Sequence, residues 1–206
     1  MTKSGVRLLS VILISLFATA AAAQEFSADL VNLKGAGART VGKIYVGTNK
    51  ARFEPQDAED RGGVVVMNLT THVTDILIPQ RQMYLEMPQR QSRRQVFAFF
   101  RPTDADNACG EWLQLATKPG STCHRVGTEI LNGRATTKYE GTSPEGDPGT
   151  VWVDSKLRFA LRWQDKNGST ELQNIKEGSQ PDSLFEIPAG YQKMDVGNMM
   201  RNMPQQ

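Results

Sequence analysis

Two Asn-Gly dipeptides, Asn132-Gly133 and Asn167-Gly168, each stand between two runs of strand-forming residues. A two-residue hairpin turn needs positive φ at its centre, which Asn and Gly tolerate better than other residues. Val126–Leu131 and Ala135–Tyr139 therefore read as one hairpin, and Arg158–Trp163 with Thr170–Ile175 as another. Upstream, strict alternation over Gln82–Met87 places Met83, Leu85 and Met87 on one face. Leu157, Phe159, Leu161 and Trp163 are placed on one face in the same way, with Arg158 and Arg162 on the other. Lys43–Val46, Val64–Leu69 and Val73–Ile78 are richer in β-branched residues and read as more fully buried strands. Ser143–Gly149, with two prolines and two glycines, reads as a loop, and Gly35-Ala36-Gly37 as a turn.

Successive hairpins imply one large antiparallel sheet, and a sheet of that size must bury a face. Helical segments to cover it are few. Gln91–Phe100 places Val96, Phe97 and Phe100 at helical spacing and stops before Pro102. Residues 104–118 are mixed, with Trp112, Leu113 and Leu115 expected to be buried near the cysteine pair. The economical solution is a mainly β (α+β) fold: a curved antiparallel sheet forming an incomplete half-barrel with one or two short helices. No repeat or linker divides it, so residues 24–196 are expected to form a single domain, and 197–206 a frayed tail.

The first 23 residues have the order of a secretory signal peptide. Lys3 and Arg7 precede an apolar run from Leu8 to Ala18, and Ala21-Ala22-Ala23 stands before Gln24. The apolar run is short of the roughly 20 residues that span a bilayer, so cleavage near Ala23/Gln24 and a periplasmic or secreted protein that does not span the membrane are expected. The chain carries 24 Lys plus Arg against 22 Asp plus Glu, and the leader removes Lys3 and Arg7 and no acid. The remainder is balanced in charge, which argues against nucleic acid as a partner. The Arg90, Arg93 and Arg94 cluster reads as a solvated face rather than a phosphate site.

Cys109 and Cys123 are the only cysteines, and in an exported chain an isolated pair reads most simply as a disulfide. Closing a loop of about 15 residues is worth about 3 kcal/mol in the chain-entropy model. A metal set of Cys109, Cys123 and His124 lacks a fourth ligand and ranks below it.

Residues 151–191 carry a distinctive succession. Val151-Trp152-Val153-Asp154-Ser155-Lys156 leads into Leu157–Arg162, a polar hairpin and a strand to Ile175 follow, and the segment closes with Phe185-Glu186-Ile187-Pro188-Ala189-Gly190-Tyr191. This order, with Asn49–Glu54 as a second-hairpin strand, resembles the periplasmic lipoprotein-carrier superfamily with the LolA/LolB-like fold. The resemblance implies an unclosed antiparallel barrel with an apolar concave face that shields acyl chains during outer membrane lipoprotein sorting. It also implies a match of Arg52 to a cavity-rim arginine. A disulfide loop and little helix for a lid distinguish this chain from the carriers proper.

No constellation names a reaction. His72 and His124 are the only histidines, and no nucleophile elbow, His-Glu-x-x-His or phosphate-cradling loop is present, so a non-catalytic protein without a cofactor or a metal is expected. His72, between two strands, reads as a turn residue. Met199, Met200 and Met203 are soft donors suited to Cu(I), but their irregular spacing lacks a Cys or His. Methionine and aromatic side chains suit a pocket for varied acyl chains. The expected ligand-lining set is Arg52, Met83, Leu85, Met87, Phe97, Phe159, Leu161 and Trp163, although the apolar members would serve equally well as packed core. The expected partner is a lipid or acylated ligand. The alternative is an envelope protein-interaction or sensing module with a filled interior that works through its sheet edges.

Overall fold

The computed structural model describes residues 24–34, 37–56, 63–87, 101–115 and 119–194. The leader, the expected helix with Phe97, the Arg90–Arg94 cluster and the methionine-bearing tail lie outside the described residues.

Twelve strands form one sheet: β1 (Phe26–Lys34), β2 (Gly37–Val46), β3 (Lys50–Pro55), β4 (Val64–Asn68), β5 (Thr74–Ile78), β6 (Met83–Met87), β7 (Thr122–Leu131), β8 (Arg134–Thr142), β9 (Pro148–Asp154), β10 (Phe159–Asp165), β11 (Gly168–Glu177) and β12 (Gln192–Lys193). Helix α1 (Ala108–Leu115) precedes β7. The spatial order is β12-β6-β5-β4-β3-β2-β1-β11-β10-β9-β8-β7. Two meanders, β1–β6 and β7–β11, join where β1 pairs antiparallel with β11, and only the short β12 runs parallel to its neighbour β6. The end strands β12 and β7 do not pair with each other, so the sheet is open. The expected mainly β, unclosed antiparallel architecture is what the chain adopts.

Local chemistry sets the turns. Asn132 and Gly133 sit at φ 50° and 76°, closing the β7–β8 hairpin as expected. The β10–β11 hairpin also forms, but Asp165 pairs with Gly168, so Lys166 and Asn167 are its turn and Gly168 opens the next strand. His72 is a turn residue at φ 55°, beside an Asn68 side chain that accepts from the Thr70 and Thr71 N–H groups. After β9, the Asp154 carboxylate accepts from the Lys156 and Leu157 N–H groups, and Arg158 takes positive φ. This is the structural use of the Trp-x-Asp sequence: its aspartate fixes the β9–β10 turn.

Ladder register divides the faces of the first meander. Ile44, Phe53, Val65, Ile76 and Leu85 form one cross-strand row, and Val46, Ala51, Met67, Thr74 and Met87 form the next on the same face. Phe26 stands opposite Val46 and Ala28 opposite Ile44, carrying this face onto β1. The main core gathers Phe26, Ile44, Val46 and Met67 with Leu157, Phe159, Leu161 and Leu172 from the second meander. Phe26 and Phe159 meet edge to face with ring centroids 5.3 Å apart. Full burial of side chains this size contributes about 1.5–3 kcal/mol each.

The opposite face of β4 and β5, bearing Val64, Val66 and Leu77, is covered by Phe185, Leu184 and Tyr191. The closing Phe-x-x-Pro-x-Gly-Tyr sequence is thus a plug and a return to β12. Arg101 ties the start of β1 to the β2–β3 connection, donating to the carbonyls of Gln24, Gly47 and Thr48. Burial and the neighbouring Arg158 bring its guanidinium down to about 10.

Two expectations change. Phe159 lies opposite Asp154, whereas Trp163 lies opposite Val151, because a bulge between Ala160 and Arg162 adds one residue to β10. Phe159 and Trp163 therefore pair with opposite faces of β9, although Trp163 still packs against the core cluster that holds Phe159 and Leu161. Leu113, expected to be buried, is exposed on α1, where Trp112 faces the sheet instead.

On the face of β8–β11 opposite Trp163, Lys138, Trp152, Arg162 and Glu171 form a row. Lys138 and Arg162 lie 5.4 Å and 5.5 Å from the Trp152 ring centroid, and the Trp152 indole donates to Glu129. Burial pushes the Glu171 carboxyl up, but hydrogen bonds from Asn132, Arg162 and Gln173 and the Arg162 charge outweigh it and hold the group below the usual range. A carboxyl lowered on folding adds stability above its unfolded pKa and loses it as pH falls through the folded value. Glu171→Gln is therefore expected to flatten the acid side of a stability-versus-pH curve measured by urea unfolding. Asp154 is 2% exposed and bridges to Arg134, so Asp154→Ala leaves two turn N–H groups without their acceptor and Arg134 with Glu177 alone. Its expected cost is about 3 kcal/mol, read from the urea midpoint at neutral pH.

Candidate functional site

The second meander carries the site. Tyr139, Val151, Trp163, Thr170 and Asn32 lie opposite one another across β8, β9, β10, β11 and β1, so they form one row on one face. Two residues along each of the first four strands, Gly141, Gly149, Asp165 and Gly168 form a parallel row on the same face. Three glycines in four positions leave a strip without side chains beside an aromatic and aliphatic one.

Helix α1 is held over these rows. Cys109 on α1 is bonded to Cys123 on β7, with Cα atoms 5.5 Å apart, as the sequence led us to expect. The bond occupies both thiols, and His124 pairs with Glu140 on the face away from Cys123, so the alternative metal set is not assembled. Ahead of the helix, the Thr103 N–H donates to the Glu111 carboxylate, and Thr137 donates to Asp106. The Tyr139 hydroxyl donates to the Ala105 carbonyl at 2.7 Å and accepts from the Ala108 N–H. Burial is the main cause of the raised Tyr139 pKa, which keeps the hydroxyl protonated as a donor. Ala105, Ala108, Cys109 and Trp112 thereby pack against Tyr139, Val151 and Val153.

Between this roof and the sheet lies a cavity of about 780 Å³. Trp112 and Trp163 line it with Tyr139 and Val151, Asn32 and Asp165 bring polar groups to it, and the 143–149 loop closes one end. Two of the three glycines differ. A Cβ at Gly141 would meet the Thr122 carbonyl oxygen at 2.1 Å, so β8 needs glycine there to approach β7. A Cβ at Gly149 would have only the Gln164 carbonyl near, at 3.8 Å.

Of the residues expected to line a ligand site, only Trp163 belongs to this cavity. Met83, Leu85 and Met87 do share a face and are half-buried, but on β6, far across the sheet order. Phe159 and Leu161 are sealed in the main core at 0% and 1% exposure. Arg52 lies in register with Tyr45 and Val66, on the face opposite Phe53. There it pairs with Glu54 at 2.7 Å and donates to the Leu184 carbonyl, so it anchors the C-terminal plug rather than a cavity rim. Phe97 lies outside the described residues. Sequence reasoning missed Asn32, Tyr139, Asp165 and the glycine strip. The glycines are visible in the sequence, but their alignment exists only once the ladder register is known.

No family model matches the chain, and no curated protein matches it in sequence. Solved structures do match in fold. An uncharacterised conserved protein from Thermus thermophilus is 12% identical with a TM-score of 0.50, over 84% of this chain and 91% of that one. PNGF-II is 11% identical with a TM-score of 0.51 over 87% of this chain, which spans 32% of the PNGF-II chain. A putative outer membrane lipoprotein-sorting protein domain from Vibrio parahaemolyticus is 11% identical with a TM-score of 0.32, covering 78% of this chain and 88% of that domain. The open antiparallel sheet has the unclosed layout expected from the sequence, and these likenesses concern fold alone.

Two variants separate the glycines. Gly141→Ala is expected to destabilise by about 1–3 kcal/mol through backbone clash, while Gly149→Ala should be near neutral, both read by thermal unfolding. Replacing both cysteines by serine should cost about 3 kcal/mol for a loop of about 15 residues, measured by urea unfolding.

Proposed function

We propose that this chain is an exported, non-catalytic protein that binds a lipid or other apolar ligand in the cavity beneath α1. The observation that carries this reading is the cavity itself. Its volume of about 780 Å³ falls within the roughly 300–1,000 Å³ of ligand pockets, and Trp112, Tyr139, Val151 and Trp163 give it an apolar wall among many polar lining residues. The disulfide supports the reading as well, because it fixes the roof in an oxidising compartment such as the periplasm. A roof tied down by the disulfide, Tyr139 and Thr137 and a floor built on ladder hydrogen bonds make a preformed site, which lowers the ordering cost of binding. Among the described residues no helix is long and apolar enough to cross a membrane.

The test uses the neutral apolar dye N-phenyl-1-naphthylamine with the oxidised protein. Saturable fluorescence enhancement is expected, together with its loss in Gly149→Phe, whose ring fills the strip without displacing backbone. Dye uptake that is absent from the unaltered protein, or equal in a folded Gly149→Phe variant, would overturn the proposal.

A second reading has its own observation. β7 is an end strand of the sheet and carries Val126 and Ile130, 49% and 73% exposed. An edge with exposed apolar side chains can accept an added strand, so an envelope protein partner would dock there. That reading becomes the better one if the dye test fails.

A further inference from the structure

At the end of the sheet opposite β7, the edge of β6 is covered over two residues only, by Gln192 and Lys193 of β12. Residues 181–194 reach that edge by crossing the face of β4 and β5 that bears Val64, Val66 and Leu77. In this strap Phe185 is buried, Leu184, Tyr191 and Met194 are half-buried, and the other residues are exposed. Its polar fastenings lie near the surface. Arg52 donates to the Leu184 carbonyl, and the Gln192 and Met194 N–H groups donate to the Gln82 and Tyr84 carbonyls. The Lys193 ammonium meets the Glu86 carboxylate at 2.8 Å, with both side chains exposed. An exposed ion pair adds little, and a segment with one buried side chain opens at a lower free energy than a strand packed on both faces.

What the strap covers is an acceptor for an extended chain. Gln82 and Tyr84 offer carbonyls along the edge, and Val64, Val66 and Leu77 form an apolar seat for Phe185 beside it. That seat includes Gly47, where a Cβ would stand 3.0 Å from the Phe185 ring. Arg52, Val66, Asp75 and Glu86 lie opposite one another on this face, so two carboxylates are cross-strand neighbours and repel. The strap answers them with Lys193. Backbone groups at a sheet edge supply affinity for an added segment, and side-chain seats supply its specificity.

We propose that residues 181–194 are an exchangeable cap on the β6 edge: they lift off while the sheet stays folded, and an extended segment of another protein takes their place. The strap itself shows the chemistry of that partner. It carries an aromatic side chain for the Val64–Val66–Leu77 seat and, eight positions later, a basic one for Glu86 and Asp75. None of these residues lines the cavity beneath α1, so the cap goes beyond the binding role proposed above and stands without it.

Amide hydrogen exchange on the full chain tests the lifting. The Gln192 and Met194 N–H groups are expected to exchange about a hundredfold faster than the slowest amides of β3 and β4, at a rate that low urea leaves unchanged, as for local opening. Exchange of the strap amides only through global unfolding overturns the proposal. Fluorescence anisotropy tests the replacement, with a labelled synthetic peptide of residues 181–194 added to the full-length Phe185→Ala variant, whose own strap lacks its anchor. Saturable binding is expected, with about tenfold weaker binding to the unaltered chain, where the tethered strap competes at high effective concentration. Arg52→Ala, which frees the Leu184 carbonyl and removes no core side chain, serves the same purpose if Phe185→Ala does not fold. A folded variant that leaves the peptide unbound, or that binds a peptide bearing Phe185→Ala equally well, overturns the proposal.

Discussion

The ladder between β1 and β11 is the interaction on which the remainder of the structure depends. It joins residues near the start of the described chain to residues near its end, from Phe26 opposite Glu177 to Leu33 opposite Ser169. Without it there are two meanders, each with an apolar face and an exposed edge. With it, Phe26 reaches Phe159 and the two halves share one core. Closing so long a loop costs conformational entropy before its contacts repay it, so the hairpins of each meander are the natural first units to form. β1 is also the strand that lends Asn32 to the cavity, so core and site are assembled in the same step.

The two faces of the second meander have been given different work. One bears the Lys138–Trp152–Arg162–Glu171 row, where charged groups pair and stack around a buried indole and a buried carboxylate. The other bears aromatic and aliphatic groups under a stapled helix. Neighbouring residues along each strand, such as Arg162 and Trp163 or Trp152 and Val151, serve opposite faces. A register shift of one residue would put guanidinium and carboxylate groups into the cavity. The buried Asp154 turn and the β7–β8 turn at Asn132-Gly133 hold that register at two neighbouring hairpins.

Much of the fold was legible because it rests on local chemistry. Asn-Gly turns, alternation along β6 and the cysteine pair all depend on residues near one another in sequence. The site was less legible because it depends on long-range register. Alternation alone set Phe159 with Trp163, and the bulge in β10, which no residue type announces, moves their partners on β9 to opposite faces. Arg52 carried no local sign of facing Leu184, since that contact joins segments 132 residues apart. Methionine-rich β6 drew attention by its composition, whereas the cavity is made by residues of no distinctive type, Asn32 and three glycines among them.

A cavity bounded by missing side chains has a property that a cavity between diverging backbones lacks. Its depth is written in single residues rather than in the geometry of the sheet. At Gly149 the space above the strand is open, so alanine, valine or leucine there would shorten the hollow stepwise while the strands stay in place. One scaffold would thus carry hollows of different length, with the residue at position 149 acting as the stop of a molecular ruler.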